Sequence, residues 1–272
     1  MKYLPLLPAL LCCTLSLAQP AGTPRDSLFS ELKRTPSFSI YKDNYAVVGC
    51  PTNHTPDKFN SNVKYQISFR QRLTNAVLPL DSYLFISYTQ KAFWDIFRNS
   101  KPFTELNYNP GIGISVPVFC RNSLKGFFSL TVEHESNGRD SIWSRSWNFV
   151  SLAYSTSFNS HWKLTVKGWI PFSWRSDNPR LMDYVGYGEA KVTWLPLRNE
   201  RIVTDITVRK GASWSWKGSV QTNFAFKIGK NSNQYLGFQW YVGQAESLIE
   251  YQDFVSMIRF GLFIKARNLD FY

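Results

Sequence analysis

Apolar and polar residues alternate one by one through most of this chain. Tyr65, Ile67, Phe69 and Leu73 alternate with Gln66, Ser68, Arg70 and Arg72. Trp162, Leu164, Val166, Ile170 and Phe172 alternate with Lys163, Thr165 and Lys167, and Val220, Phe224, Phe226 and Ile228 with Ser219, Gln221, Asn223 and Lys227. Leu236, Phe238, Trp240 and Val242 share one parity, as do Ile258, Phe260, Leu262 and Ile264. A period of two predicts strands with one apolar and one polar face. About twelve such segments are expected, near residues 37–48, 64–74, 83–94, 107–118, 127–137, 145–158, 161–172, 184–195, 201–210, 217–228, 234–244 and 256–265. Each is about as long as a tilted strand must be to cross a bilayer.

A soluble β-sandwich also alternates. Three features favour an all-β, closed antiparallel transmembrane barrel of about twelve strands over 37–272. The segment number is even and the last segment runs nearly to the end of the sequence, so first and last strands can pair. Aromatic residues gather near segment ends (Phe93, Trp94, Trp143, Trp147, Phe172, Trp174, Trp194, Trp214, Trp216), as interfacial girdles require. Lys and Arg occupy the polar faces, where a small soluble barrel needs apolar filling. Closure also leaves no edge hydrogen-bonding group facing lipid. With the N-terminus in the periplasm, odd-numbered strands run outward, and 48–64 and 138–144 become outer loops.

Composition narrows the class. Ten Trp, fourteen Tyr and twenty-one Phe in 272 residues exclude a disordered chain, and four cysteines are too few for a disulfide scaffold. Beyond the N-terminus no apolar run approaches the ~18–20 residues of a spanning helix. Residues 1–18 fit a signal peptide: Lys2, the apolar stretch Leu4 to Leu17, and small residues Ser16 and Ala18 before a cut at Gln19. The stretch is too short for an anchor, and Leu11 is a poor residue ahead of a lipidated cysteine. Residues 19–36 then form an N-terminal periplasmic segment. Two cysteines remain, Cys50 and Cys120, which the strand count sets on opposite sides of the membrane and therefore unbridged. The net charge of +12 suggests nucleic acid only where cations cluster. Here they are dispersed through polar strand faces, so no nucleic-acid partner is expected, and a charged lumen beside anionic headgroups accounts for them. The sequon at Asn53 carries no weight in this reading.

One hairpin carries candidate chemistry. Phe128, Leu130 and Val132 mark the lipid-facing parity of its first strand, and His134 and Ser136 share it. On the returning strand Asn148 shares the parity of Val150, Leu152 and Tyr154. Polar residues on a lipid face are costly and suggest function. Residues i and i+2 of a strand lie roughly 6.5–7 Å apart on one face, within reach of an imidazole–hydroxyl pair. A hairpin centred near Ser141 sets Asn148 opposite His134, where its carbonyl can orient the ring. An uncharged third member suits a site beside hydrocarbon. An interfacial histidine in a common His-x-Ser triplet remains the other reading of the same residues.

The run His134-Glu135-Ser136-Asn137-Gly138-Arg139, followed by Ser144-Arg145-Ser146-Trp147-Asn148, resembles outer-membrane phospholipase A. Tyr88-Thr89-Gln90-Lys91, Glu105-Leu106-Asn107-Tyr108-Asn109-Pro110, Asp177-Asn178-Pro179 and Gly243 to Tyr251 agree with it. The resemblance covers about residues 39 to 265. It implies a twelve-stranded barrel in the bacterial outer membrane whose homodimer hydrolyses phospholipids of the outer leaflet, as phospholipase A1 and A2, with calcium. It implies Ser136 as nucleophile, His134 as general base and Asn148 as orienter, with the Gly138 N–H in the oxyanion hole. For calcium it implies the Arg139 carbonyl, the Ser144 hydroxyl and, from the partner subunit, the carbonyl at the position of Ser100. Gln90 matches a polar residue of the dimer interface. Glu135 stands where the family usually has Asp, and Lys101 where a small residue is common. A passive pore and a soluble lipid-binding barrel are the competing functions. A pore gives no reason for His, Ser and Asn on the lipid face, and a soluble barrel is extractable without detergent.

Overall fold

The computed structural model describes residues 24–266 apart from 76–77, 122, 198–199 and 231. The expected signal peptide lies outside the described residues. A short strand β1 (Phe38–Ile40) and β2 (Asn44–Pro51) both pair with β3 (Asn62–Arg72), along successive parts of it. They are one wall strand interrupted by a bend at 41–43. The wall continues through β4 (Tyr83–Trp94), β5 (Phe103–Cys120), β6 (Ser123–Ser136), β7 (Ser146–Ser157), β8 (Trp162–Phe172), β9 (Gly188–Trp194), β10 (Ile202–Lys210), β11 (Gly218–Lys227), β12 (Gln234–Gly243) and β13 (Val255–Ile264). Each strand pairs antiparallel with the next, and β13 returns to β2, from Met257↔Pro51 to Ile264↔Asn44. The result is the expected closed barrel of twelve wall strands.

The side chains are distributed inside out. Ile67, Ile86, Ile112, Leu130, Val132, Leu152, Ile170, Val208, Phe238 and Phe260 are exposed on the outer surface. Lys64, Arg70, Arg72, Glu105, Asn107, Glu133, Asp205, Gln239 and Arg259 are buried in the lumen. Such a barrel is stable only if lipid covers the apolar wall and the inner charges are paired. They are: Lys167 meets Glu133 at 2.6 Å, Arg209 meets Glu189 at 2.8 Å, and Lys265 meets Asp43 at 3.0 Å and also Asp205.

Both ends of the lumen are covered. Helix α1 (Pro24–Arg34) buries Leu28 and Leu32 against Tyr83, Phe85 and Phe127. The Arg72 guanidinium caps it, donating to the Leu32 and Thr35 carbonyls at 2.5 and 3.0 Å. The N-terminal segment thus reaches into the barrel. At the opposite end a short helix α2 (Leu181–Val185) packs with Ala245, Leu248 and Tyr251 onto Trp147, Phe149 and Trp169. This corrects the reading of 184–195 as strand: β9 begins only at Gly188, after α2 and a turn. Phe93 and Trp147 also depart from the girdle reading, since both are buried inside. Cys50, opposite Ile258, and Cys120, opposite Ser123, are free and lie toward opposite ends of the wall.

Candidate active site

The hairpin β6–β7 sets its register by pairing Ser136 with Ser146, His134 with Asn148 and Val132 with Val150. The side chains of one row share a face because successive residues of a strand alternate. His134, Ser136 and Asn148 therefore continue the outward apolar rows Leu130–Val132 and Val150–Leu152. His134 Nδ1 lies 2.8 Å from Asn148 Oδ1. Since Oδ1 can only accept, the ring donates there from Nδ1. Ser136 is paired on its other side with Tyr108, and Tyr108 with Gln90. The row Gln90–Tyr108–Ser136–Ser146 thus runs at one level across four strands on the lipid face. Gln90 Oε1 accepts from Tyr88 Oη at 3.1 Å.

The loop after Ser136 is held by Asn137, a buried residue that the sequence reading saw only as part of the resembling run. Its Oδ1 accepts from the N–H groups of Arg139 (3.3 Å) and Arg145 (3.0 Å), its Nδ2 donates to the Trp143 carbonyl (2.9 Å), and its N–H donates to the Arg145 carbonyl (2.9 Å). One side chain thereby folds 137–145 back on itself. Gly138 sits at φ +67°, and a Cβ there would lie 3.0 Å from Tyr108 Cε2. Both conformation and space demand glycine at this position.

Arg139 and Ser144 lie on this loop. The Arg139 guanidinium donates to the Thr104 carbonyl and lies 3.6 Å from Glu105. Ser144 Oγ donates to Asp177 Oδ2 at 3.0 Å, and Ser146 Oγ donates to the same oxygen at 2.9 Å. These two hydrogen bonds hold the Asp177 carboxyl below the ordinary carboxylate range. Asn178, fully buried, donates from Nδ2 to the Ser146 carbonyl at 2.5 Å. Asp177 and Asn178 were seen in sequence only as part of a resembling triplet; the structure shows them bracing the hairpin from loop 173–187. Ser100 stands apart from this cluster, exposed in loop 95–102, and Lys101 beside it adopts φ +45°. Lys101 thus holds a left-handed conformation that favours glycine.

The groups the structure joins here offer oxygen: the Ser144 hydroxyl, whose proton points to the Asp177 carboxylate, and, on the neighbouring Asn178, an Oδ1 buried without a partner among the described residues. That chemistry suits a hard cation. Among the described residues there is no cluster of three His, Cys, Asp or Glu side chains.

Comparison with known proteins agrees with this layout. The family model for phospholipase A1 matches residues 33–264. The phospholipase A1 of Escherichia coli strain K12 is 30% identical over 216 residues, covering 76% of this chain and 70% of that protein. That of Salmonella typhimurium is 31% identical over 198 residues, covering 70% and 64%. Among solved structures, outer membrane phospholipase A from Escherichia coli superposes with a TM-score of 0.75 at 24% identity, covering 85% of this chain and 100% of that one. The Salmonella typhi outer membrane phospholipase, solved as a dimer with bound calcium, also gives 0.75 at 24% identity, covering 91% and 99%. The chain is therefore an outer-membrane β-barrel enzyme. It belongs to the phospholipase A1 family, and its activity is that of a phospholipase.

Proposed function

We propose that this protein is a calcium-dependent phospholipase whose homodimer hydrolyses acyl esters at both glycerol positions, A1 and A2, in the outer leaflet. The hydrogen bond between His134 and Asn148 on the lipid face carries this reading. It orients an imidazole two residues from a serine of the same lipid-facing row. The longer loops lie at the end that holds the site, which supports placing that end outside.

Ser136 Oγ attacks the ester carbonyl while His134 Nε2 takes its proton; Asn148 holds the ring through Nδ1. The Gly138 N–H donates to the oxyanion as it forms. Collapse breaks the ester bond, His134 returns the proton to the leaving lysophospholipid, and a water activated by the same imidazole then releases the fatty acid from Ser136. Calcium, when bound, supplies positive charge beside the oxyanion; the Arg139 carbonyl and the Ser144 hydroxyl would hold it, with the partner subunit's loop at the position of Ser100. Asp177 orients that hydroxyl. Gln90 donates its amide across the dimer interface, its carbonyl being engaged by Tyr88. The Salmonella typhi relative, a dimer with bound calcium, supports calcium and a dimer, and a solved Escherichia coli relative altered at an active-site asparagine supports an asparagine in the site.

Ser136→Ala and His134→Ala are expected to abolish fatty-acid release from phospholipid micelles while heat-modifiable gel migration stays normal. Asn148→Ala is expected to lose less, because the base survives and only its orientation goes. A His134→Ala barrel that is folded and fully active overturns the reading. A passive pore fits poorly: α1 and α2 pack over the two ends of the lumen, and the inner charges are paired.

A further inference from the structure

The β5–β6 ladder is broken behind the base. Pairing runs from Cys120↔Ser123 to Gly111↔Glu133, is missing at residues 109 and 110, and resumes at Tyr108↔Ser136. The gap faces Glu135 and His134. Its cause is Pro110, which has no N–H. In an antiparallel ladder the residues of a hydrogen-bonded pair exchange both bonds. With proline opposite His134, the His134 carbonyl loses its donor. The β4 side of Pro110 is undisturbed, since Tyr88↔Pro110 pairs in register. A side chain fills the vacancy: Asn109 Nδ2 donates to the His134 carbonyl at 3.1 Å. The Asn109 Oδ1 accepts in turn from Lys42 Nζ at 3.3 Å. Lys42 occupies the bend that interrupts the first wall strand, and its own N–H donates to Ser68 Oγ at 3.1 Å. On either side of His134 the neighbours are fastened through the lumen, Glu133 by Ser151 and Lys167 at 2.6 Å each and Glu135 by Trp147 Nε1 at 3.0 Å. For the His134 carbonyl the bond comes from Asn109.

We propose that Asn109 is a positioning residue for His134: from inside the barrel it replaces the ladder bond that Pro110 removes, and so fixes the height and tilt of an imidazole that works on the outside. This rests on His134 being the base. The proposal assigns Pro110 and Asn109 as a compensating pair, so the test is a double-mutant cycle. Asn109→Ala is expected to lower kcat about 10- to 100-fold with KM within about twofold, as for a displaced catalytic group. Pro110→Ala alone is expected to stay near wild type, and Asn109→Ala with Pro110→Ala to recover most of the loss, because the restored backbone N–H reaches the same carbonyl. Asn109→Asp, which keeps size and the bond from Lys42 and removes only the donor, serves if alanine disturbs assembly. A second readout needs no turnover. The chain has three histidines, so the Nδ1 proton of His134 is assignable in 15N-histidine-labelled barrel by its loss in His134→Ala. It should exchange faster in Asn109→Ala and recover in the double variant. An unchanged signal in Asn109→Ala, or a double variant as slow as the single, overturns the proposal. A signal that follows Asn109 in a wild-type barrel that releases no fatty acid supports the positioning and overturns only the phospholipase mechanism.

Discussion

Gly138 is the residue whose replacement separates conformation from crowding. At φ +67° an alanine is strained, and its Cβ meets Tyr108 at 3.0 Å. Gly138→Ala should cost roughly 1 kcal/mol or more of local stability and lower kcat more than about tenfold, because the strained N–H no longer aims at the oxyanion. Adding Tyr108→Ala relieves the contact but not the φ. Fatty-acid release and thermal midpoints for the single and double variants check this, and full recovery in the double variant would mean that φ is unimportant. Ser136, His134 and Asn148 were legible in sequence because parity and hairpin register are local rules. Asn137 was not: its value lies in four hydrogen bonds to a loop whose path no periodicity describes. Asn109 was hidden for a related reason, since its partner follows from a donor that a neighbouring proline lacks.

Loop 137–145 and loop 173–187 act together through one carboxylate. Asp177→Ala leaves the Ser144 and Ser146 hydroxyls without an acceptor, so the calcium concentration for half-maximal activity should rise about tenfold while kcat at saturating calcium changes little. Calcium titration of the hydrolysis rate measures both. An unchanged half-saturation would remove Asp177 from the calcium site. Most strands were readable to within one to three residues, since a wall between lipid and charge enforces alternation along its whole length, while β5 and β6 begin four residues before the segments read at 107 and 127. What escaped were elements that answer to distant partners. The α2 residues Leu181, Met182, Tyr184 and Val185 are apolar on nearly every side because they roof the lumen. Tyr184 and Val185 were therefore absorbed into the following strand. Helix α1 carries only two buried leucines, too few to announce a plug before Phe85 and Phe127 are seen beneath them. The bend at 41–43 breaks no alternation and becomes visible only as two pairings on β3.

Across the whole molecule, one acidic side chain ties the loop end to the lumen. Glu246 accepts from Arg259 Nη1 at 2.7 Å and Nη2 at 3.1 Å, and from Lys64 Nζ at 2.9 Å. Burial pushes its carboxyl up, but Arg259 and Lys64 outweigh burial and hold it at about 2. The folded value lies below the roughly 4.3 of a free glutamate, so this stabilisation is complete above about pH 5 and is lost as pH falls toward 2. Thermal midpoints in detergent between pH 6 and pH 2.5 should fall for wild type and fall less for Glu246→Gln. Glu246→Ala leaves two buried cations unpaired and should cost about 3–5 kcal/mol. At the level of assembly, a calcium ion shared between subunits binds the dimer better than the monomer and must tighten the dimer by the same factor. Sedimentation in detergent with calcium and with chelator measures that factor, and equal dimer fractions would exclude a shared ion.

His134, Ser136 and Asn148 lie on the outside of the wall, so the reaction medium of this enzyme is a sheet and not a volume. On the proposed mechanism substrate arrives by lateral diffusion, and the quantity that governs the rate is an area density. Diluting phospholipid with an inert amphiphile at constant bulk concentration should slow turnover, whereas adding more of the same mixed surface should leave the turnover of the embedded enzyme unchanged.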